Sequence, residues 1–205
     1  MGAKKIQPTE MESALALVEP FVCADPARTH MNSAFHCGLW GRPFVCATDG
    51  HTAAIVHCVG EVKRPAGADR APPMDAIMPA NADRVGTLNA SDLEALRELP
   101  RAWEARVTFR PGSLPTLAAL REKGPKKHRE IIWIVKDAAL AFANSLDVTT
   151  AMSVGYLLRA IDFCGVELVT VWRERVDNFA PLLFTAGIKT YTESDRVAIV
   201  MPCRT

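Results

Sequence analysis

The spacing of apolar and polar residues predicts two helices and several short strands in the first half of the chain. One helix covers residues 8–22, where Thr9 and Glu12 form a capping box. Its buried face should hold four apolar residues: Met11, Ala14, Leu15 and Val18. Short apolar runs separated by Gly-Arg-Pro and Asp-Gly turn signals predict strands, which cover residues 31–40, 43–50 and 51–58, with one more at 74–79.

A second helix is predicted over residues 89–100. Ser91 and Glu94 can cap its start, and Pro100 stops it. Three leucines at helical spacing form its apolar side: Leu93, Leu96 and Leu99. Few strands of the first half are predicted after this second helix.

The pattern restarts after Pro100. A strand at 105–111 runs directly into a predicted helix at 112–124, which has an early proline and a terminal glycine. A further helix is predicted over residues 153–165, where the apolar spacing is the most regular in the chain and Gly165 is the C-cap. The remaining apolar runs predict strands, at 131–136, 138–145, 166–172, 180–186 and 196–203.

This order of elements predicts an α+β protein. The strands come in consecutive runs, which favour antiparallel pairing over a parallel βαβ series. The restart predicts two domains, residues 1–102 and 103–205, each with a few helices packed on one face of its sheet.

The composition is that of an ordinary globular protein. Apolar residues make up 49% and charged residues 23% of the 205 positions, and the formal net charge is +1. No apolar signal core follows the N-terminal lysines, so a cytoplasmic location is expected. The six cysteines lie mostly inside apolar runs and are expected to be reduced thiols.

The segment Thr48-Asp49-Gly50-His51 combines a strong turn signal with an imidazole. It could be a plain hairpin tip, part of a catalytic pair, a metal site or one wall of a binding pocket. The nearby Cys37, Cys46, His57 and Cys58 suit zinc poorly, because no CxxC pair occurs and strand neighbours 57 and 58 point to opposite faces. No nucleophile elbow or phosphate-binding loop accompanies His51, so neither an enzyme nor a metal or other cofactor is predicted.

Basic residues concentrate at the end of the predicted helix 112–124 and in the loop after it. These residues could bind DNA phosphates, or they could be the solvated, cationic end of a helix. The first two helices carry mostly glutamate and aspartate instead. The basic set consists of Arg121, Lys123, Lys126, Lys127 and Arg129.

Three segments resemble the bacterial DNA polymerase III β subunit, the replicative sliding clamp. "ATDGH" at 47–51 is similar to the ATDGHRLA strand turn of that family. "MSVGYLLRAIDFCGVELVTV" is similar to the helix and following strand of the final clamp domain. "VAIVMPCRT" resembles the closing strand with its Met-Pro-Met-Arg-Leu-like tail. The three segments occur in the family's order and together cover 34 of the 205 residues.

The resemblance implies a DNA-clamp-like fold and a hydrophobic cleft that binds short linear peptides of polymerases, clamp loaders and repair proteins. In the family, the TDGH turn and the C-terminal tail form the two walls of this cleft. The matching positions here are Thr48, Gly50 and His51 on one wall, and Val200, Met201, Pro202, Cys203 and Arg204 on the other.

The chain departs from the family in several ways. Thr52 and Ala53 replace the Arg-Leu that follows the histidine, Cys203 replaces the second tail methionine, and the length allows two clamp domains rather than three. A ring of six domains would then need three copies.

Two functions follow: a sliding-clamp-like processivity factor around double-stranded DNA, or an adaptor or decoy that binds clamp partners without encircling DNA. An enzyme using His51 is a third, less favoured possibility.

Overall fold

A computed structural model describes residues 10–58, 78, 82–98, 104–111, 117–123, 128–135, 148–165, 167–174 and 181–202. The helices are α1 (Glu10–Val18), which a 3-10 turn extends over Glu19–Phe21, α2 (Ala90–Arg97) and α3 (Val154–Cys164). The strands are β1 (Phe35–Leu39), β2 (Arg42–Thr48), β3 (Thr52–His57), β4 (Ala82–Leu88), β5 (Glu104–Pro111), β6 (Leu117–Lys123), β7 (His128–Val135), β8 (Val148–Ser153), β9 (Val169–Glu174), β10 (Leu182–Ala186) and β11 (Arg196–Val200).

The strands form two sheets. The larger one has the order β1-β2-β3-β11-β10-β9-β4, and the smaller one has the order β6-β7-β5-β8. All pairings in the larger sheet are antiparallel. Its centre is the pair β3–β11, where Thr52 lies opposite Val200 and Val56 lies opposite Arg196. This pair joins an early segment of the chain to the last strand.

Both faces of the larger sheet are buried, which explains the uninterrupted apolar runs in its strands. In β3, Ala54 and Val56 face one core cluster while Ala53 and Ile55 face the other. β11 alternates in the same way, with Ala198 and Val200 on the first side and Val197 and Ile199 on the second. Because successive strand residues point to opposite faces, a strand buried on both sides is apolar at most positions.

The three helices pack on the first of these clusters. Ala14 and Val18 of α1, Leu93 and Leu96 of α2, and Leu157, Leu158 and Ile161 of α3 are all buried in it. α3 ends at Gly165, which adopts the left-handed conformation (φ +63°) predicted for its C-cap. The α+β prediction and the position of helices on one face of the large sheet are therefore confirmed. The prediction of antiparallel pairing is wrong for one pair of the smaller sheet: β5 and β7 run parallel, because β7 rather than β6 lies beside β5.

A repeated order of elements runs through the described part of the chain. From β4 to β11, the order strand, helix, three strands occurs twice, first as β4-α2-β5-β6-β7 and then as β8-α3-β9-β10-β11. A helix followed by three strands also opens the described chain as α1-β1-β2-β3. The domain boundary predicted at 102/103 falls outside the described residues, and the larger sheet takes strands from both sides of it.

One predicted helix is wrong. Residues 117–123 form strand β6 instead, which pairs antiparallel with β7, so that Arg121 lies opposite Glu130 and Lys123 opposite His128. The sequence Leu-Ala-Ala-Leu-Arg-Glu-Lys has good helix propensity, but pairing in a sheet overrides this weak preference. Strands β4 and β8 were not predicted, while the strands predicted at 74–79 and 138–145 lie outside the described residues, apart from Met78.

Details of the first two helices also differ from the predictions. α2 is capped by Asn89 and Asp92, whose side chains each accept a hydrogen bond from the other's backbone N–H, rather than by Ser91 and Glu94. Leu15 is 38% exposed instead of buried. The predicted cap Thr9 of α1, and Leu99 and the predicted stop Pro100 of α2, lie outside the described residues.

The contrast between two helical leucines gives a test of this packing. Leu158 is 2% exposed in the core beneath α3, whereas Leu15 is 38% exposed on α1. We expect Leu158→Ala to lower the free energy of unfolding by about 2–5 kcal/mol, because it leaves a cavity. Leu15→Ala should change it by about 0.5 kcal/mol or less. Urea unfolding followed by tryptophan fluorescence measures both, and equal losses would contradict the position of α3.

Candidate functional site

The turn between β2 and β3 is built around one carboxylate. Asp49 Oδ1 accepts hydrogen bonds from the backbone N–H of His51 (2.9 Å), the N–H of Thr52 (2.7 Å) and the Thr52 hydroxyl (3.1 Å). Thr48 Oγ1 donates to the Thr52 carbonyl at 2.8 Å and accepts from the Gly50 N–H at 3.1 Å. The short polar side chains therefore satisfy the backbone of the turn and fix its shape.

The backbone conformation at position 50 favours glycine. Its φ of +88° is strained for any other residue type. A Cβ atom there would also lie 3.2 Å from Nη1 of Arg28, close to the side chain of Met31. The Asp-Gly signal in the sequence thus reflects the conformation of the turn, because the flexible end of the Arg28 side chain can move away from a Cβ atom.

A side chain from α3 completes the turn. Nη1 of Arg159 lies 2.7 Å from Oδ2 of Asp49 and 3.3 Å from the Thr52 hydroxyl oxygen. Burial alone would raise the pKa of Asp49. The backbone donors of Thr52 and His51, together with the Arg159 guanidinium, outweigh this effect and hold the pKa below its ordinary value of 3.8.

The turn lies directly beside the C-terminal tail. The backbone N–H of Met201 donates to the carbonyl of His51 at 2.8 Å, which continues the β3–β11 ladder past Val200. The imidazole of His51 is exposed and stacks on the ring of Tyr156, with 5.3 Å between centroids and 10° between planes. The structure therefore brings His51 and Met201 together, as the resemblance implied.

The residues of the expected cleft differ in exposure. Thr48 and Val200 are buried, so their side chains support the site from beneath. Gly50 and His51 are exposed, Met201 and Pro202 are half-buried, and Met201 packs against the second core cluster. Cys203 and Arg204 lie outside the described residues. We call Gly50, His51, Met201 and Pro202 the turn–tail surface.

Two residues of this region escaped the sequence analysis: Tyr156 and Arg159. They lie three positions apart on α3, so they share one side of the helix. That side faces a pocket of about 520 Å³ between α1 and α3, which Phe21 and Phe163 also line. The only signal in the sequence was the position of Tyr156 and Arg159 beside the apolar stripe of the helix. This pattern does not indicate that the two side chains face the turn.

The structure does not support a catalytic pair at the turn. Asp49 accepts from the backbone of His51, while its second oxygen binds Arg159, so no Asp–His dyad forms. Nδ1 of His57 lies 3.6 Å from Asp195, on the opposite end of β3. In the described ranges, no group of three or more His, Cys, Asp or Glu residues could hold a metal ion.

The cysteines described by the structure are free thiols, and burial raises the pKa of two of them strongly. For Cys164 the pKa is raised to about 12. Burial raises the pKa of Cys46 well above the usual range, and a hydrogen bond with Cys37 adds to the effect. Such thiols react slowly because the thiolate is the reactive form.

Three of the five basic residues belong to the β6–β7 pair. Arg121 and Lys123 belong to β6 and Arg129 belongs to β7, while Lys126 and Lys127 lie outside the described residues. The alternative of a cationic helix end is therefore wrong, because no helix occupies 117–123. DNA binding by this group stays a prediction.

None of the helices in the described segments is long and apolar enough to cross a membrane.

No family model and no curated protein matches the chain. Solved structures of bacterial sliding clamps do match its fold. The DNA polymerase III β subunit of Pseudomonas aeruginosa matches with a TM-score of 0.63 and 13% identity, over 100% of this chain and 69% of that one. The β subunit of Borrelia burgdorferi, in complex with a natural product, gives 0.66 and 10%, over 100% and 64%. The Bartonella birtlesii clamp bound to griselimycin gives 0.64 and 12%, over 100% and 68%.

These matches establish the fold as that of the bacterial sliding clamp, as the three sequence motifs implied. The identities of 10–13% are too low to carry more than the fold. The chain spans about two thirds of the length of these clamps, so the activity of the whole clamp is not transferred with its fold.

The lowered pKa of Asp49 predicts how the turn responds to acid. A carboxyl group whose folded-state pKa lies below its unfolded value of 3.8 stabilises the protein above that value and loses this contribution as the pH falls through the folded pKa. On acidification from about pH 6 to about pH 2, wild-type protein should therefore lose more stability than Asp49→Asn, whose amide does not titrate. Urea unfolding across this range measures the difference, and parallel curves would contradict the role of the carboxylate.

Proposed function

We propose that this protein is a sliding-clamp-like binding protein whose turn–tail surface holds a short apolar peptide from a DNA polymerase or another replication or repair protein. The hydrogen bond between the Met201 N–H and the His51 carbonyl carries this proposal. It brings residues separated by 150 positions onto one surface, in the arrangement that the sequence motifs imply.

The chemistry of the surface suits such a ligand. Met201 is an adaptable apolar side chain, and Pro202 beside it is rigid. The His51 imidazole is held flat against Tyr156 and offers a polar rim. Because the turn is fixed by Asp49, little ordering is required when a peptide binds, which favours affinity. The ligand-bound clamps of Borrelia and Bartonella add support, since proteins with this fold hold small ligands.

The processivity-factor form of the proposal adds a ring, in which three copies encircle double-stranded DNA. The adaptor or decoy form is the second candidate, and one observation favours it. The helices that cover one face of the larger sheet expose acidic side chains, which would repel phosphates. They are Glu10, Glu12, Glu19, Glu94, Glu98 and Asp162. A solution mass of three chains would support the ring, and a mass of one chain would support the adaptor.

We expect Met201→Ala to weaken peptide binding about tenfold or more, because a central apolar anchor is worth about 2 kcal/mol when truncated. His51→Ala should weaken it less, since water can replace part of a polar rim. The measurement is fluorescence polarisation with a labelled peptide that carries adjacent Leu and Phe residues.

The matched control is Ile188→Ala, which truncates a 72% exposed apolar residue in the turn between β10 and β11, at the far end of these strands. It should bind like the wild type. Because Met201 also packs against the second core cluster, unfolding curves must show that Met201→Ala remains folded at the assay temperature. Absence of wild-type binding, or equal binding by Met201→Ala, would refute the proposal.

A second test concerns DNA. We expect any affinity for double-stranded DNA to depend on the basic set Arg121, Lys123, Lys126, Lys127 and Arg129. Replacing all five by alanine should reduce the slope of log affinity against log salt by about one for each phosphate that these side chains neutralise. Arg97→Ala is the control, because this arginine lies on the helical face and pairs with Asp162 at 3.2 Å. An unchanged slope in the variant with all five substitutions would show that these residues do not contact DNA phosphates.

A further inference from the structure

The carboxylate of Asp49 binds two partners that come from distant parts of the chain. One oxygen holds the backbone of the turn, through the N–H groups of His51 and Thr52. The other oxygen binds Arg159, which belongs to α3 and therefore to a distant part of the chain. The Asp49 side chain is 17% exposed and that of Arg159 is 36% exposed, so water screens this pair less than a surface pair.

The guanidinium of Arg159 also contacts two aromatic rings. Its central carbon lies 5.6 Å from the ring centre of Tyr156 and 5.8 Å from that of Phe21. Both distances fall within the range of cation–π attraction. Tyr156 in turn stacks on His51 of the turn–tail surface. A continuous set of contacts thus runs from the turn through Arg159 and Tyr156 back to the imidazole.

We infer that Arg159 is a positioning residue of the turn–tail surface: its ion pair with Asp49 fixes the turn against α3 and thereby keeps His51 stacked on Tyr156. This inference rests on the proposed function for its consequence in peptide binding. The geometric part concerns the orientation of His51 and can be tested without a peptide.

The type of side chain matters at position 159. Arginine is planar, so it can bind a carboxylate, donate to the Thr52 hydroxyl and lie over aromatic rings at the same time. Lysine keeps the positive charge but has a compact ammonium group without this geometry. Arg159→Lys should therefore keep only part of the positioning that Arg159→Gln removes. The carboxylate is ionised near neutral pH, because its pKa lies below 3.8.

The chain contains a close control for this interaction. Arg42 pairs with Asp195 at 2.6 Å and lies 5.4 Å over the ring of Phe44, so it also combines an ion pair with a cation–π contact. It joins the same two parts of the chain, since β2 lies beside β3 and Asp195 directly precedes β11. This second pair is at the opposite end of the β3–β11 junction. Arg42→Gln should affect the junction but not the turn.

Proton NMR of the His51 ring tests the geometric part. Stacking on Tyr156 places the imidazole protons in the ring current of the phenol, and Tyr156→Leu gives the reference shifts without stacking. We expect the His51 signals of Arg159→Gln to move most of the way to this reference, those of Arg159→Lys part of the way, and those of Arg42→Gln to stay at the wild-type position. Unchanged signals in Arg159→Gln, or an equal movement in Arg42→Gln, would overturn the inference.

Peptide affinity tests the consequence. Arg159→Gln and Asp49→Asn should each weaken binding about tenfold, and the double variant should be no weaker than either single variant, because both remove the same ion pair. Fully additive losses, or wild-type affinity in Arg159→Gln, would overturn the role in the surface. If the wild-type protein binds no peptide, the proposed function fails, while the NMR result still decides whether Arg159 positions His51.

Discussion

The antiparallel pairing of β3 with β11 is the interaction on which the rest of this structure depends. Residues 52–56 and 196–200 form this ladder, which joins the group β1-β2-β3 to the group β11-β10-β9-β4 in one seven-stranded sheet. Each of the two core clusters contains residues from both groups, so the junction also completes the core. The ladder then continues by one more hydrogen bond, from Met201 to His51. The candidate site therefore lies at one end of the same β3–β11 ladder that holds the sheet together.

Ion pairs flank the junction at both of its ends, and they differ in character. The pair at the His57 end joins Arg42 to Asp195, whose side chain is 60% exposed, so solvent screens it and it contributes little to stability. The pair at the turn is more enclosed and lies among aromatic rings. It also has a second task, because the Asp49 carboxylate caps the turn. The Asp49–Arg159 ion pair joins two parts of the chain and also shapes a surface turn. Its loss can therefore change ligand affinity by more than its contribution to the free energy of unfolding suggests.

The sequence alone predicted those features that have a local cause. The Asp49-Gly50 turn, the left-handed C-cap at Gly165 and the apolar stripe of α3 all follow from short-range chemistry, and the structure contains them. The helix predicted at 112–124 failed because only pairing with β7 makes residues 117–123 a strand. β4 was missed for a related reason: Ala82–Leu88 contains Asp83, Arg84 and a bulge near Gly86, so its apolar alternation is weak. Arg159 and Tyr156 were missed because no local pattern shows which residues they meet. The proximity of His51 to Met201 came from the family resemblance and could not have come from spacing.

The proposed peptide binding and the proposed DNA encirclement would depend on separate parts of this fold. The turn–tail surface is shaped by backbone pairing at the β3–β11 junction and by the Asp49 carboxylate, so its geometry does not depend on the charges of the helices. Attraction to DNA depends on the net charge of whichever surface faces the phosphates. On the helical face, acidic residues such as Glu12, Glu19 and Glu94 are exposed, and Arg97 is paired with Asp162. The geometry of the turn–tail surface is therefore independent of the charge on the helical face, and the two proposed properties have to be measured independently.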